Sequence, residues 1–358
     1  MTTTVPPLLE ALAGRRPRRL PVWFMRQAGR SLPEYRAARE GLTMLESCLR
    51  PQVAAEITVQ PVRRHRVDAA IFFSDIMVPL RLAGVAVEIS PGIGPVFEKP
   101  VRSADDVREL VAHEPGDPQP VVEAVRLARA ELDGVPSGDA SWTPLIGFAG
   151  APFTLAAYLV EGKPSRDHLA ARALMHADPA SWDALLGWCA RVSGAFLRAQ
   201  VEAGAAAVQL FDSWAGSLRR DDYVAHVAPY SKAALDAVSG VPKIHFGTGT
   251  GHLLPDVRDA GADAVGVDYR TPLDEANRLL GGATPLQGNV DPAMLAAGWD
   301  ALSAHARDVV TRGYAAPGHV VNLGHGVPET TDPDVLTRLV ELVHALPGSA
   351  KSAAEGAA

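Results

Sequence analysis

Short apolar runs recur along the chain and alternate with longer stretches rich in Ala, Leu, Glu and Arg. Near-continuous apolar runs are typical of strands that are buried on both faces, and the longer stretches have the length of helices. Eight runs are predicted as strands: Val22–Met25, Asp68–Phe73, Pro144–Phe148, Ala206–Phe211, Pro242–Phe246, Ala264–Val267, Pro285–Gln287 and His319–Leu323. The predicted helices between them include Pro51–Arg64, Pro120–Leu132, Asp183–Ala203, Leu218–Val238 and Leu273–Leu280.

This alternation predicts an α/β fold with a parallel sheet, and eight repeats favour a closed (β/α)8 TIM barrel as a single domain over residues 1–346. No Gly-x-Gly-x-x-Gly follows the first strand, which weakens a dinucleotide-binding interpretation. The long gap after the second strand holds Gly84–Ser90 and Val96–Lys99 around the turn residues Pro91–Pro95. That pattern predicts a small β-hairpin inserted there. The tail 347–358 is small and polar, and we expect it to be disordered.

Composition narrows the class of protein. The chain has 358 residues, of which 47% are hydrophobic and 21% charged, as in a soluble globular protein. A net charge of −7 argues against broad nucleic-acid binding, which needs a basic face, but leaves room for a locally positive cleft. Cys48 and Cys189 lie too far apart for a metal cluster and are expected to be buried apolar side chains. The N-terminus lacks a signal-peptide pattern and no apolar run could span a membrane, so we expect a cytoplasmic protein.

The chemistry is expected where the strands end, because the active sites of such barrels lie in the loops that follow the strands. Small residues there let a ligand approach the backbone, and polar ones point into a shared cleft. The residues that directly follow the eight predicted strands are Arg26–Arg30, Ser74–Asp75, Ala149–Pro152, Asp212–Ser213, Gly247–Thr248, Asp268–Tyr269, Gly288–Asn289 and Gly324–Gly326.

Arg26, Arg30 and Asp75 are the strongest candidates. The segment Arg26-Gln27-Ala28-Gly29-Arg30 is expected to turn tightly at Gly29, so that both guanidiniums can face one anionic ligand. The alternative is a pair of arginines that form surface ion pairs. Asp75 follows apolar residues, where an unpaired carboxylate is costly. It could bind N–H donors of a ligand or stabilise a cation, or it could cap a helix or pair with an arginine.

Four further features stay open on the sequence alone. His325 lies between glycines and could donate to a carboxylate or move a proton, or it could be structural. Ser213 lacks a nucleophile-elbow motif, so hydrogen bonding is the better interpretation. Tyr158 is either a ligand contact near the barrel mouth or part of the core. The basic stretch Arg15–Arg19 is either a solvated arm or an attractor of anionic substrate.

Several motifs in order resemble one enzyme family, the uroporphyrinogen decarboxylases. The resemblance covers residues 7–345. The N-terminal signature is similar to Pro21–Arg30 followed by Leu32–Tyr35, and the second signature is similar to Gly147–Thr154 followed by Tyr158–Gly162. Further matching segments are Phe73–Ile76, Phe211–Gly216, Gln287–Pro292 and Asn322–Gly326. Two residues depart from the family pattern: Ser31 stands where Tyr is usual, and Tyr269 stands where Trp is common.

The resemblance implies a barrel that pairs as a homodimer with facing clefts. It implies decarboxylation of the four acetate arms of uroporphyrinogen III to coproporphyrinogen III, with no metal and no other cofactor. Asp75 would stabilise a cationic pyrrole, while Arg26 and Arg30 would hold carboxylates and one of them would help to deliver a proton, which is unusual for so weak an acid. The substrate-binding residues that the resemblance implies are Arg26, Gln27, Ala28, Gly29, Arg30, Asp75, Tyr158, Ser213 and His325.

Two rival functions fit the same fold. A zinc-dependent methyltransferase of this fold would be expected to carry a His-x-Cys pair after the fifth strand, but the sequence there is His245-Phe246-Gly247. A non-catalytic tetrapyrrole-binding or anion-binding protein would need the cleft without turnover. Because all of the charged positions of the family pattern are present, the decarboxylase interpretation is favoured.

Overall fold

A curled parallel sheet organises the chain in the computed structural model, which describes residues 4–348. Seven strands form this sheet in the order β1-β4-β5-β6-β7-β8-β9, and β2 and β3 form a separate antiparallel pair. The strands are β1 (Ala70–Ile71), β2 (Val87–Ser90), β3 (Gly94–Phe97), β4 (Leu145–Gly150), β5 (Ala207–Asp212), β6 (Lys243–Gly247), β7 (Ala264–Gly266), β8 (Leu286–Gln287) and β9 (His319–Val320).

Helices follow most of the strands and cover the outside of the sheet. The α-helices are α1 (Pro7–Leu12), α2 (Pro33–Ala38), α3 (Met44–Cys48), α4 (Pro51–His65), α5 (Val78–Leu82), α6 (Ala104–Val111), α7 (Gln119–Leu132), α8 (Pro152–Glu161), α9 (Leu169–Ala177), α10 (Pro179–Glu202), α11 (Arg220–His226), α12 (Ala228–Asp236), α13 (Leu254–Asp259), α14 (Leu273–Leu279), α15 (Trp299–Gly313) and α16 (Pro333–Ala345). Short 3-10 helices span Ala215–Ser217, Gly251–Leu253 and Pro292–Ala296.

The parallel α/β arrangement predicted from the apolar runs is confirmed. Every residue of β4 is buried, as expected for a strand covered on both faces. The register is continuous across the sheet, with Ile146 opposite Ala207 and Leu210 opposite His245. The predicted first strand is wrong as a full strand, since Val22 makes only an isolated parallel bridge to Val321.

The segment around Val22 nevertheless hydrogen-bonds next to both edge strands of the sheet, β9 and β1. The N–H of Val321 donates to the carbonyl oxygen of Pro21 at 2.8 Å, and the N–H of Trp23 donates to that of Val321 at 3.2 Å. On its other side, the N–H of Asp68 donates to the carbonyl oxygen of Val22 at 2.8 Å, just before β1. Satisfied backbone groups on both sides place this segment between β9 and β1.

A polar cluster is buried inside the sheet below the strand ends. The Gln287 amide donates to Gln209 Oε1 at 2.8 Å, and the indole N–H of Trp23 donates to Gln287 Oε1 at 3.1 Å. The two glutamines belong to β8 and β5, so the cluster ties distant strands together. Since these polar groups are paired, they can be buried without a large desolvation cost.

β2 and β3 pair with Val87 opposite Phe97 and Ser90 opposite Gly94, and lie between β1 and β4 along the chain. The tail predicted to be disordered, 347–358, lies outside the described residues except for its first two positions. Of these, Pro347 forms an antiparallel bridge to Arg19, and its carbonyl oxygen accepts a hydrogen bond from the Tyr314 hydroxyl at 2.7 Å.

Candidate active site

A cavity of about 880 Å³ opens where the parallel strands end, at the edge predicted to carry the chemistry. Its wall contains residues from the loops after the Val22 segment, β1, β5 and β9, together with the turn between β2 and β3. Among the predicted site residues, those that line it are Arg26, Ala28, Gly29, Arg30, Asp75, Ser213 and His325. The volume is large enough for a ligand of several rings.

The Arg26–Arg30 turn brings both predicted arginines into the cavity wall. Arg26 has φ +60°, a left-handed conformation that is costly for a non-glycine residue and is often found at functional sites. A Cβ on Gly29 would lie 2.9 Å from the carbonyl oxygen of Arg26, so this close turn requires glycine. The turn places both Arg26 and Arg30 in the cavity wall, and their binding of one anionic ligand stays a prediction.

Gln27 differs from its neighbours because its side chain is fully buried. Its Oε1 accepts from the N–H of Phe24 at 3.0 Å, and its Nε2 donates to the carbonyl oxygen of Ala69 at 3.0 Å. These bonds tie the arginine turn to the start of β1. The structure therefore gives the Gln27 side chain a supporting position behind the cavity rather than one on its wall.

Arg30 lies at the rim of the cavity and pairs with Glu329 at 2.8 Å. The Arg30 and Glu329 side chains are 50% and 63% exposed, so the pair is weak and can open. The Arg30 guanidinium is therefore accessible to an anionic ligand from solvent. Glu329 was not predicted from the sequence, since nothing local distinguishes it from other exposed acidic residues.

Asp75 makes a local structural contact and also lines the cavity, while its role toward a ligand stays a prediction. Its Oδ1 accepts from the N–H of Met77 at 2.9 Å, which stabilises the turn before α5, and its carboxylate is half-buried in the cavity wall. Burial raises the pKa of Asp75, while the Met77 N–H and the nearby charge of Arg26 oppose the rise. A partly buried carboxylate near one guanidinium is suited to stabilising positive charge on a ligand.

Ser213 and His325 line the cavity, whereas Tyr158 is half-buried in α8 and is not part of the cavity wall. Ser213 is half-buried in the wall, whereas His325 is exposed at the rim. The cavity wall still shields the imidazole partly from solvent, which lowers the pKa of His325, and the charges of Arg26 and Arg270 lower it further, so the neutral form is favoured at neutral pH. Burial raises the pKa of Tyr158 to about 12, and the charge of Asp75 adds to the rise, so its hydroxyl remains a donor near Asp75.

Apolar and aromatic side chains form much of the remaining wall, and the sequence reasoning did not single them out. Rings from four strand ends line the cavity, and two of them, Phe148 and Phe211, pack edge-to-face at 5.4 Å. Such a surface suits flat apolar rings. The phenylalanines at these strand ends are Phe72, Phe73, Phe148, Phe211 and Phe246.

Arg39 and Tyr35 also line the cavity and were missed. They come from the region of α2 and α3, for which no helix was predicted. The Arg39 guanidinium donates to the Tyr35 hydroxyl at 2.5 Å, which fixes both groups. The available signals were Pro33 at the start of α2 and the Thr43–Glu46 capping box of α3.

Other polar residues after the strands hold loops together instead of lining the cavity. Asp212 is buried and accepts from the Thr154 hydroxyl at 2.8 Å. Asp268 accepts from the N–H of Gly249 at 2.6 Å and pairs with Arg270 at 2.5 Å. Asn289 donates to the carbonyl oxygen of Asp268 at 2.8 Å. The sequence therefore predicted that these residues lie at the strand ends, but not whether their side chains point into the cavity.

Ser31 and Tyr269, the two departures from the family pattern, occupy different surroundings. Ser31 is buried and forms part of the cavity wall. Tyr269 is 37% exposed, and the Arg270 guanidinium lies over its ring at 4.4 Å.

The basic stretch Arg15–Arg19 does not line the cavity. Arg19 pairs with Asp68, and Arg16 donates to the carbonyl oxygen of Tyr314 at 2.9 Å. Arg16 therefore ties the N-terminal region to the segment after α15, and Arg19 ties it to the segment just before β1.

Both cysteines are buried and free, as predicted. Burial raises the pKa of each thiol, which makes both unreactive. Within residues 4–348, no group of three or more His, Cys, Asp or Glu side chains is arranged to hold a metal ion. Within the same range, no helix is both long enough and apolar enough to cross a bilayer.

A substitution at Gly326 would test whether the position of the Arg26 side chain matters, because a Cβ at residue 326 would lie 2.5 Å from Arg26 Cδ. Gly326→Ala is expected to displace the guanidinium and lower kcat/KM by about 10- to 100-fold, the effect of misplacing a group that orients substrate. Steady-state kinetics would measure the loss. Gly134→Ala is the control, since its Cβ would meet its nearest neighbour only at 4.0 Å. Equal activity of the two variants would show that Arg26 need not occupy its present position.

Comparisons with known proteins place this cavity in context. A family model described as uroporphyrinogen decarboxylase (URO-D) matches residues 3–346. A protein named uroporphyrinogen decarboxylase from Arthrobacter is 65% identical over 342 residues, covering 95% of this chain and 97% of that protein. One of the same name from Leifsonia xyli is 61% identical over 360 residues, covering 94% and 93%.

Solved structures with low sequence identity share the fold. A methyltransferase from Methanosarcina mazei superposes with a TM-score of 0.77 at 19% identity, covering 94% of this chain and 96% of its own. A B12-independent methionine synthase from Shewanella gives a TM-score of 0.54 at 10% identity, covering 81% and 86%. At these identities the likeness concerns the fold alone. This likeness does not support the methyltransferase interpretation, because glycine occupies position 247, where the expected His-x-Cys pair would have its cysteine.

Proposed function

The chain belongs to the uroporphyrinogen decarboxylase family, and we propose that it is a carboxy-lyase that converts uroporphyrinogen III to coproporphyrinogen III by decarboxylating the four acetate arms. The observation that carries this proposal is a single large cavity that brings Arg26, Arg30 and the half-buried carboxylate of Asp75 together. A polyanionic macrocycle with central N–H donors needs cations for its arms and an acceptor for its centre. Both kinds of group are present in that wall.

Asp75 is proposed to accept hydrogen bonds from the pyrrole N–H groups. Protonation of a pyrrole α-carbon gives a cationic ring, which draws the electron pair from the bond that breaks as CO₂ leaves the neighbouring acetate arm. A proton is then added to the exocyclic carbon to form a methyl group, and the α-carbon returns its proton. Each arm therefore consumes one proton and releases one CO₂. Because the pyrrole serves as the electron sink, the reaction needs no added cofactor.

Arg26 and Arg30 are proposed to hold substrate carboxylates, and Arg26 also places positive charge beside Asp75. The aromatic wall contacts the pyrrole faces, while Tyr158, Ser213 and the neutral imidazole of His325 orient the arms. Ala28 and Gly29 let the substrate approach the backbone between the two arginines. The buried Gln27 amide supports this turn from behind.

We also propose the finer architecture in which this site operates. The hydrogen bonds of the Val22 segment to β9 and to the start of β1 support an eight-stranded closed barrel, formed as one domain over residues 1–346. The β2–β3 pair would be a hairpin inserted into that barrel at the rim of the cavity. Family membership supports a cytoplasmic homodimer with facing clefts, and the net charge of −7 argues against a nucleic-acid partner.

The test is anaerobic incubation of the purified, metal-stripped protein with uroporphyrinogen III. We expect seven-, six-, five- and four-carboxyl products to appear in turn, counted by chromatography after oxidation. Restoring divalent metal is expected to leave the rate unchanged, because no proposed step uses one. Folded protein that binds the reduced substrate without releasing CO₂ would contradict the proposed function and favour a binding protein.

A further inference from the structure

Three aromatic rings are stacked in a row that begins at Tyr158. The Tyr158 and Trp214 ring centroids are 3.8 Å apart and their planes differ by 31°. Trp214 and His168 follow at 4.2 Å with planes 21° apart. We call this row the Tyr158–Trp214–His168 stack. Only its first member was predicted as a site residue.

The far end of the stack is fixed in the core. His168 is 3% exposed, and its ring meets the edge of Phe153 at 6.4 Å. Phe153 in turn packs against the fully buried Trp182 at 6.1 Å. The His168 backbone has φ +51°, a conformation that the N–H bond to Ser165 Oγ at 3.2 Å helps to hold. The imidazole therefore has little freedom to shift.

The middle of the stack is held by hydrogen bonds. The N–H of Trp214 donates to Thr154 Oγ1 at 3.4 Å, and the same hydroxyl donates to the buried Asp212 at 2.8 Å. On the other side, the Ser217 hydroxyl donates to the carbonyl oxygen of Trp214 at 2.9 Å. Trp214 also directly follows Ser213, so the same backbone segment places a cavity residue and the central ring.

The near end of the stack lies next to the cavity wall. Tyr158 is half-buried and stacks on Trp214, whose chain neighbour Ser213 lines the cavity. A phenol that must meet a substrate arm there needs a fixed ring plane, because rotation of the ring would displace its hydroxyl. The hydrogen bonds given by the structure hold Trp214 but not the Tyr158 hydroxyl, so the stack is what defines its plane.

We propose that Trp214 and His168 are positioning residues that act through Tyr158, holding its hydroxyl in line with the reacting arm of the substrate. This inference rests on the proposed function of the cavity. His168 contributes its flat ring rather than its polarity, since its buried Nδ1 has no hydrogen-bond partner within residues 4–348. An aromatic side chain at position 168 is therefore sufficient.

A double-mutant cycle tests the proposal. His168→Ala is expected to lower kcat/KM by about ten-fold, the size of an aromatic stacking effect, whereas His168→Phe retains activity within about two-fold. Tyr158→Phe removes the hydroxyl while keeping its ring. In the Tyr158→Phe background, His168→Ala is expected to cost almost nothing more, because the group that it positions is already absent.

Two results would overturn the proposal. One is wild-type activity of His168→Ala; the other is full multiplication of the His168→Ala and Tyr158→Phe losses, which indicates a general packing effect. If His168→Ala does not fold, the same cycle is run with Trp214→Leu and its aromatic control Trp214→Phe. Thermal unfolding of every variant identifies losses that arise from misfolding.

Wild-type protein assayed in parallel separates this proposal from the function on which it rests. Absence of turnover by folded wild-type protein would contradict the decarboxylase function itself. The double-mutant cycle would then compare the dissociation constants of the variants for uroporphyrinogen III, measured anaerobically by calorimetry. Non-additive losses of affinity would still support positioning of Tyr158, and additive losses would refute it.

Discussion

Asp75→Asn is expected to lower kcat by about 10²- to 10³-fold, the size of effect seen when a group aimed at developing charge is lost. Asparagine has nearly the same shape, and its side-chain oxygen can still accept from the N–H of Met77, so the turn before α5 is retained. The change removes the negative charge that faces the cationic pyrrole. Single-turnover kinetics would separate this chemical step from substrate binding.

The pH profile gives an independent signature of the same carboxylate. Burial raises the pKa of Asp75, and only its ionised form can stabilise a ring cation. The kcat of the wild-type protein is therefore expected to fall as the pH drops through that raised pKa, and Asp75→Asn should lack this acid limb. An unchanged acid limb in the variant would assign the titration to another group.

Stability should move in the opposite direction from activity. Because folding raises the pKa of Asp75, its stabilising contribution is present below the unfolded pKa and is lost as the pH rises through the folded value. At neutral pH the ionised carboxylate therefore opposes folding, and Asp75→Asn should be at least as stable as the wild type. Asp221→Asn, at a side chain that is 83% exposed, is the control for both activity and stability.

The strand ends could be predicted because buried strands have near-continuous apolar runs, and several of the residues after those runs line the cavity. Strand bounds were predicted less well: the run Asp68–Phe73 is apolar, but only Ala70–Ile71 forms a regular ladder. The predicted helix Leu218–Val238 is in fact α11 and α12, separated at Val227. Pro229 at the start of α12 explains the break, since proline cannot continue the preceding helix.

The site was predicted only in part, because a sequence motif does not show which way a side chain points. Arg26, Arg30 and Asp75 face the cavity as expected, whereas Gln27 belongs to the same motif but turns into the core. Trp214 and His168 are 46 residues apart, and no periodicity connects them. Their rings meet because the fold brings the start of α9, where His168 lies, against the loop after β5, which carries Trp214.

Asp68 precedes β1, whereas Asp75 follows it. We expect Asp68 to contribute to the stability of the fold rather than to catalysis. It is fully buried and pairs with Arg19 and His344, the latter at 2.7 Å. It also accepts from the N–H of Val22 at 2.9 Å and the hydroxyl of Ser137 at 3.0 Å. One carboxylate thus joins the N-terminal segment, the start of β1 and α16.

Asp68→Ala is expected to lower the free energy of unfolding by about 3–5 kcal/mol, because it leaves several buried partners unpaired. Asp68→Asn can still accept from Val22 and Ser137 and should cost less. Asp263→Ala is the matched comparison: Asp263 accepts from the N–H of Lys243 at 2.9 Å, but it is exposed, so its loss should cost about 1 kcal/mol or less. Urea unfolding followed by circular dichroism would measure all three.

The activity of the folded Asp68 variants distinguishes a structural role from a catalytic one. Asp68 precedes β1, whereas the cavity lies at the other end of the strands, so kcat per folded molecule should stay within about two-fold of the wild type. Asp75→Asn should show the reverse, with unfolding energy retained and turnover lost. A large fall in kcat for folded Asp68→Asn would mean that the lower end of the sheet is coupled to the chemistry, and that the separation of stability and catalysis along this strand is wrong.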